Sequence, residues 1–131
     1  MIRAMWLGLL LSLAACSTQA PNVITLTPKG RNVIEINNSS FHDSVSIEGG
    51  KALYNGDLLE CVVTMRCHED ENVDFEYYWE FYDADGFIMD DTTALWSPVT
   101  IPAGVAKQYN TRAPKAGAVR AKFMARQPLG H

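Results

Sequence analysis

Short alternations of apolar and polar residues run along the chain after its first twenty positions. Because successive side chains of a strand point to opposite faces, each alternation predicts a β-strand. The predicted strands are Val23–Leu26, Asn32–Ile36, Ser44–Ile47, Leu58–Cys67, Val73–Tyr82, Phe87–Met89, Leu95–Ile101, Val105–Tyr109 and Val119–Ala125. No stretch after Cys16 keeps a helical period for ten residues.

Residues typical of turns separate these runs. The predicted turns are Asn37–Ser40, Gly49-Gly50, Asn55–Asp57, Asp83–Gly86, Pro102–Gly104 and Pro114–Gly117. Many short strands with turns at this density predict an all-β domain, and in particular a β-sandwich of about seven to nine strands.

The run Phe75–Tyr82 has two distinct faces. Phe75, Tyr77, Trp79 and Phe81 form an aromatic face that we place in the core, and Glu76, Tyr78, Glu80 and Tyr82 form the opposite face. The last strand alternates in the same way, with Arg120, Lys122 and Arg126 outward and Met124 as the exception. If the two strands share a sheet, we expect Glu76 and Glu80 to face Arg120 and Lys122.

Two cysteines, Cys61 and Cys67, lie on the apolar face of the Leu58–Cys67 run. Six residues of strand span about 20 Å, whereas the Cα atoms of a disulfide lie about 4.4–6.8 Å apart. We therefore expect two separate buried thiols. The alternative is a disulfide between them, which would need a bulge near Met65 or Arg66 to bend the strand.

The chain begins with one basic residue, Arg3, followed by an uncharged stretch that ends at Ala15. About twelve residues of helix are too short to cross a hydrocarbon layer of about 30 Å. A charged start, a short apolar centre and small residues before a cut are typical of an export signal. We therefore assign residues 1–15 to a cleaved signal peptide.

The last residues of that segment indicate which type of export signal it is. The four residues Leu13, Ala14, Ala15 and Cys16 resemble a lipobox, the pattern that lipoprotein signal peptidase recognises once the thiol carries a diacylglyceryl group. Cleavage then leaves a lipidated Cys16 and a polar tether over residues 16–22, ahead of a β-sandwich domain over residues 23–131. Ser17 after the cysteine, rather than aspartate, favours the outer membrane by the sorting rule of enteric bacteria.

Composition limits the partners and the number of domains. The 131 residues suit one domain, and the apolar share of 47% suffices for a buried core. The net charge is -4 with eleven basic and fifteen acidic residues, which argues against nucleic acid as a partner. Acids concentrate in residues 57–91 and bases in residues 107–126, either as a dipolar surface or as neighbouring strands that neutralise each other.

Candidate chemistry is sparse. The loop His68–Glu71 is either a divalent-cation site or a solvated hairpin loop. The segment Asp83–Gly86, with Asp90 and Asp91 beyond, lacks the glutamate of a calcium loop and suits an Asp-Gly hairpin turn. The run His42–Ser44 contains triad residue types, but adjacent residues rarely converge in space. We expect no enzyme, no catalytic residue, no metal and no cofactor.

The second half of the chain resembles the YcfL-like periplasmic lipoproteins. The resemblance lies in Tyr77–Gly86, which is similar to that family's core strand and Asp-x-x-Gly turn, in Trp96–Gly104, and in the closing strand from Ala113-Pro114 to Arg126. It covers roughly residues 57–127. It implies an immunoglobulin-like sandwich in a family without an assigned activity, so no catalytic role transfers.

These observations favour a lipid-anchored, non-catalytic protein at the periplasmic face of the bacterial outer membrane, which binds another envelope protein. Tyr78 and Tyr82 are the candidate partner-binding residues, because tyrosine is favoured at interfaces and both stand on a face flanked by acids. The alternatives are a cation- or small-molecule-binding module that uses the acidic loops, and a structural accessory of envelope assembly or phage lysis.

Overall fold

The computed structural model of the chain describes residues 20–89 and 96–129. The expected signal peptide, the lipobox residues Leu13, Ala14 and Ala15, and the lipidation site Cys16 lie outside the described residues, as do Asp90 and Asp91. Among the residues described, no helix has the length and apolar content that a membrane crossing requires.

The described residues form a nearly all-β fold with one short helix. The strands are β1 (Asn22–Leu26), β2 (Val33–Glu35), β3 (Val45–Asn55), β4 (Leu58–Cys67), β5 (Val73–Asp83), β6 (Ile88–Met89), β7 (Ser97–Ile101), β8 (Ala106–Arg112) and β9 (Ala118–Arg126). The helix α1 spans Ser39–Ser44, between β2 and β3. Each predicted strand has a counterpart here.

Two antiparallel sheets form the sandwich. The six-stranded sheet has the order β2-β1-β9-β5-β6, and β7 also pairs with β5; the three-stranded sheet has the order β3-β4-β8. Since β9 occupies one side of β5, the short β6 and β7 share its other side, β7 along residues 73–77 and β6 along residues 81–82. The predicted sandwich is therefore confirmed.

The core lies between the inner faces of the two sheets. Along β4 every second residue is buried, from Leu59 to Cys67, as the alternation predicts. Phe75 of β5 and Phe123 of β9 are fully buried and face this strand from the other sheet. Tyr77 and Trp79 are only partly buried, although both pack against the core. The predicted aromatic face of β5 thus points inward along its length.

The thiols of Cys61 and Cys67 are free and buried, 3% and 1% exposed. The straight strand between them keeps the two residues apart, as expected from its β-branched sequence. Burial in the core raises the pKa of Cys61 to about 12, so this thiol stays protonated and unreactive at neutral pH.

Two turn predictions are wrong. Gly49-Gly50 lies inside β3, where the pairing with β4 shifts register between Ile47 and Gly49. A Cβ on Gly50 would lie 2.6 Å from the carbonyl oxygen of Val62. The glycine therefore allows the backbones of β3 and β4 to approach closely, and it does not reverse the direction of the chain. The segment Asn37–Ser40 leads into α1, because the Asn38 side chain caps the helix by accepting from the Phe41 N–H.

A buried asparagine fixes the start of the domain. Asn22, the last residue of the expected tether, is the first residue of β1 and is 1% exposed. Its Oδ1 accepts from the backbone N–H groups of Asn37 and Asn38 at 2.9 and 2.8 Å, and its Nδ2 donates to the Asn38 carbonyl. The first strand is thereby attached to the N-terminus of α1.

Candidate functional site

The outer face of the six-stranded sheet carries the residues predicted for partner binding. Strands β5 and β9 are neighbours, and their register places Tyr78 opposite Met124 and Tyr82 opposite Arg120. Glu80 lies opposite Lys122, as expected, whereas Glu76 lies opposite Arg126 and not opposite Arg120 or Lys122. The sheet therefore interleaves the acids and tyrosines of one strand with the bases of the next.

One cluster on this face centres on Trp96. The Trp96 ring packs edge-on against Tyr78, with 4.4 Å between ring centroids. The guanidinium of Arg126 lies 3.8 Å from the centroid of the Trp96 ring, and its Nε donates to Glu76 Oε1 at 3.1 Å. The Arg126 and Glu76 side chains are 15% and 20% exposed, so this ion pair is partly shielded from solvent. The cluster holds four side chains in fixed contact.

A second cluster centres on Tyr82. Arg120 and Lys122 lie over its ring at 4.9 and 5.3 Å from the centroid, and its hydroxyl donates to Glu80 at 3.2 Å. Burial, together with the Glu80 charge, raises the pKa of Tyr82 to about 12. The same two causes, in the same order, raise the pKa of Tyr78. Both phenols therefore remain neutral hydrogen-bonding groups.

We call this surface the cation–aromatic face. It consists of Tyr78, Tyr82, Trp96, Arg120, Lys122 and Arg126, with Glu76 and Glu80 between them. The two tyrosines lie on the outer face, as expected, and are half-buried by their neighbours. Met124, the exception in the outward pattern of β9, lies beneath this layer and is 7% exposed.

Two of the acidic residues considered for cation binding, Asp83 and Glu69, are engaged in hydrogen bonds within the fold. Asp83 Oδ1 accepts from the backbone N–H groups of Asp85 and Phe87 at 2.9 and 3.0 Å, which closes the β5–β6 hairpin. Glu69, in the loop between β4 and β5, accepts from the Ser44 hydroxyl at 2.9 Å. No group of three or more potential metal ligands occurs in residues 20–89 and 96–129.

The run His42–Ser44 lies in α1 and is not assembled into a triad. The Ser44 hydroxyl donates to Glu69, as described above, and the histidine near a serine is instead His68, whose Nε2 lies 2.8 Å from Ser46 Oγ. His42 and His68 both line a shallow depression beside β3. In the part of the chain that the structure describes, no carboxylate hydrogen-bonds to the other ring nitrogen of His68, so the third member of a triad is missing there.

The uneven charge along the chain is partly neutralised between strands. Beyond the Glu76–Arg126 pair, Glu60 of β4 pairs with Arg112 of β8 at 3.1 Å. These exposed residues also border a concavity of about 600 Å³ on the outer face of the three-stranded sheet. Val62 and Leu53 supply its apolar lining, and Leu53 is 63% exposed.

The chain is similar to one protein family and to two solved structures. A family model described as "Protein of unknown function (DUF1425)" matches residues 32–127. The crystal structure of a DUF1425 family member from Shewanella sp. pv-4 is similar with a TM-score of 0.61 and 20% identity, over 82% of this chain and 98% of that one. Campylobacter jejuni cj0090 is similar with a TM-score of 0.54 and 20% identity, over 63% and 85%. At this identity the two structures share the fold alone. The chain matches no curated protein.

Proposed function

The chain belongs to the DUF1425 family, and we propose that it is a non-catalytic, YcfL-like lipoprotein that binds another protein of the bacterial envelope. In this proposal Cys16 carries the lipid, and the sandwich stands at the periplasmic face of the outer membrane. The support for the anchor is the lipobox at residues 13–16, together with the resemblance of residues 57–127 to YcfL-like lipoproteins.

The length of the tether supports a domain held close to the membrane. Five residues separate Cys16 from Asn22, where β1 begins, so six Cα–Cα steps join the two. Fully extended, six steps span at most about 20 Å. The edge of the sandwich that carries Asn22, the helix α1 and the loop between β4 and β5 would therefore face the lipid, and the long strands would run away from it.

The cation–aromatic face is the observation that supports protein binding. Tyrosine, tryptophan and arginine are the residue types enriched where binding energy concentrates at interfaces. Here their side chains are held by one another, through Tyr78 against Trp96 and Arg126 against both Trp96 and Glu76. Side chains already fixed in the free protein lose less conformational entropy when a partner binds.

Capture from crosslinked envelopes tests this function. We expect the wild-type protein to retain a specific envelope protein, and Tyr78→Ala and Tyr82→Ala to lose it. Leu53→Ala, which truncates an exposed apolar residue on the other sheet, is the matched control and should retain the partner. Equal capture by both tyrosine variants and the control would refute the assignment of the face.

The anchor is tested separately. Mass spectrometry of the mature N-terminus should find the acyl groups on Cys16, and Cys16→Ser should leave the protein unprocessed or release it from the membrane fraction. Normal processing of Cys16→Ser, with the protein still in the membrane pellet, would refute the lipid anchor and leave the binding face untouched.

A further inference from the structure

The free edge of β8 is the feature that the proposed function does not use. In the part of the chain that the structure describes, β8 pairs only with β4. The ladder continues past both ends of β8, where Cys67 N–H donates to the Val105 carbonyl at 2.9 Å and Ala113 N–H donates to the Leu59 carbonyl at 2.8 Å. The odd-numbered residues of β8 therefore direct their backbone groups towards β4.

In an antiparallel pair, alternate residues bond to the neighbouring strand and the others point away from it. The even-numbered residues of β8 accordingly turn their N–H and C=O groups to the outside. They are Ala106, Gln108, Asn110 and Arg112, and all four are exposed. This edge offers a row of eight backbone groups to an incoming strand.

The other edges of the two sheets are less suited to strand addition. In the sheet regions described, β2 has three residues and β6 has two, and β7 contains Pro98, which lacks an N–H. Strand β3 is irregular between Ile47 and Gly49. Short strands, proline and bulges protect an edge against strand addition, and the seven residues of β8 have none of these three. Its protection against a second copy of the chain is charge, from Lys107 and Arg112.

Charge along this edge indicates the kind of strand that fits. Residues 104–119 include Lys107, Arg112 and Lys115 and no acid. Arg112 is paired with Glu60 of β4, so Lys107 and Lys115 supply most of the positive charge. A second copy of the chain would bring the same positive charges to the edge, which disfavours self-pairing. An extended segment with acidic side chains would instead be attracted to it.

We propose that the free edge of β8 receives an extended acidic segment of a partner protein by strand addition. The backbone bonds to residues 106–112 supply affinity, and alternate side chains supply specificity. Side chains of the segment on the outer side of the sheet lie beside Asn110 and Arg112, at the rim of the concavity nearest to β8. This site lies on the three-stranded sheet and is independent of the cation–aromatic face.

The test uses the purified full-length protein in detergent and a fluorescent nine-residue peptide that alternates valine and glutamate. Asn110→Pro removes an N–H that points away from β4, so it blocks the edge and leaves the β4–β8 ladder intact. Asn110→Thr is the matched control, because it keeps the N–H on a β-branched residue. We expect Asn110→Pro to weaken binding at least about tenfold in fluorescence anisotropy, and Asn110→Thr to bind like wild type.

A peptide with lysine in place of glutamate should bind at least about tenfold more weakly at low salt. Circular dichroism establishes that Asn110→Pro is folded, and Gln108→Pro replaces it if it is not. The proposal would be overturned if the folded proline variant bound the peptide as well as wild type, or if wild type bound both peptides equally or bound neither. Dimerisation of wild type that Asn110→Pro abolishes would also overturn it. None of these outcomes affects capture through Tyr78 and Tyr82.

Discussion

Removal of the Arg126 guanidinium should destabilise the fold measurably, because this group joins two elements far apart in sequence. It lies 3.8 Å from the Trp96 ring centroid and donates to Glu76 at 3.1 Å. A hydrogen bond to a charged group contributes about 1.5–3 kcal/mol, and a cation over an aromatic ring about 0.5–2 kcal/mol. Since the pair is partly exposed, we take the lower parts of these ranges and expect Arg126→Ala to cost about 2–3 kcal/mol.

A double-mutant cycle in urea separates the two contributions. The single variants are Arg126→Ala, Trp96→Ala and Glu76→Gln. The double variants combine Arg126→Ala with Trp96→Ala in one cycle and with Glu76→Gln in the other. We expect a coupling free energy of about 1 kcal/mol between Arg126 and each partner. The Glu76 coupling should fall in high salt more than the Trp96 coupling, because an ion pair is screened by mobile ions.

Arg126→Lys is the informative control. It keeps the charge near Glu76 but lacks the planar group that stacks on Trp96. It should therefore retain most of the Glu76 coupling and lose most of the Trp96 coupling. Coupling to Trp96 within the usual additivity error of about 0.3–0.5 kcal/mol would refute the view that this face is preorganised by its own side chains.

Three further predictions concern the core and its edges. Because burial raises the pKa of Cys61 from 9.0 to about 12, the folded state holds the thiol proton more tightly; this stabilisation is complete below pH 9 and is lost as the pH rises towards 12. Between pH 8 and pH 10 the free energy of unfolding should fall by about 1 kcal/mol more in wild type than in Cys61→Ala, as measured by urea titration, and equal losses would contradict it. Gly50→Ala should cost about 2–4 kcal/mol in thermal unfolding, because the new Cβ would meet the Val62 carbonyl oxygen at 2.6 Å. Gly56→Ala, at a φ of 65° with nothing within 4 Å, should cost only about 1 kcal/mol, so similar losses would refute the steric reason. Asn22→Ala should cost about 3 kcal/mol in the same assay by leaving the backbone N–H groups of Asn37 and Asn38 without their acceptor, and a loss below about 1 kcal/mol would contradict the described hydrogen bonds.

The sequence predicted the strands well because each is set by local alternation. The faces of β4 follow from residues 58–67 alone, and so does the separation of Cys61 from Cys67. Charge alternation also predicted that β5 and β9 bring acids against bases, correctly for Glu80 and Lys122 but wrongly for Glu76, which lies opposite Arg126. In each case the information lies within one strand or one strand pair.

The missed features depend on contacts between distant segments. Gly50 resembles a turn residue in the sequence, but its role comes from the backbone of β4 and from Leu26 of β1. Helix α1 has six residues, too few for a helical period, and is fixed by the Asn38 cap and by the burial of Phe41. Trp96 and Arg126 meet because β7 and β9 flank the same strand, β5, which no local pattern encodes.

The attachment of β1 has a mechanical consequence. Tension applied to the chain ahead of residue 22 would act along β1, which is bonded to β9 over five residue pairs and to β2 over three. A force parallel to a strand loads all of these rungs in shear at once and does not unzip them one after another. Asn22 adds its own bonds at the point where the load enters. A pull on the N-terminus directed along β1 is therefore opposed by all of these bonds together, whereas a pull across the strand would break them one after another.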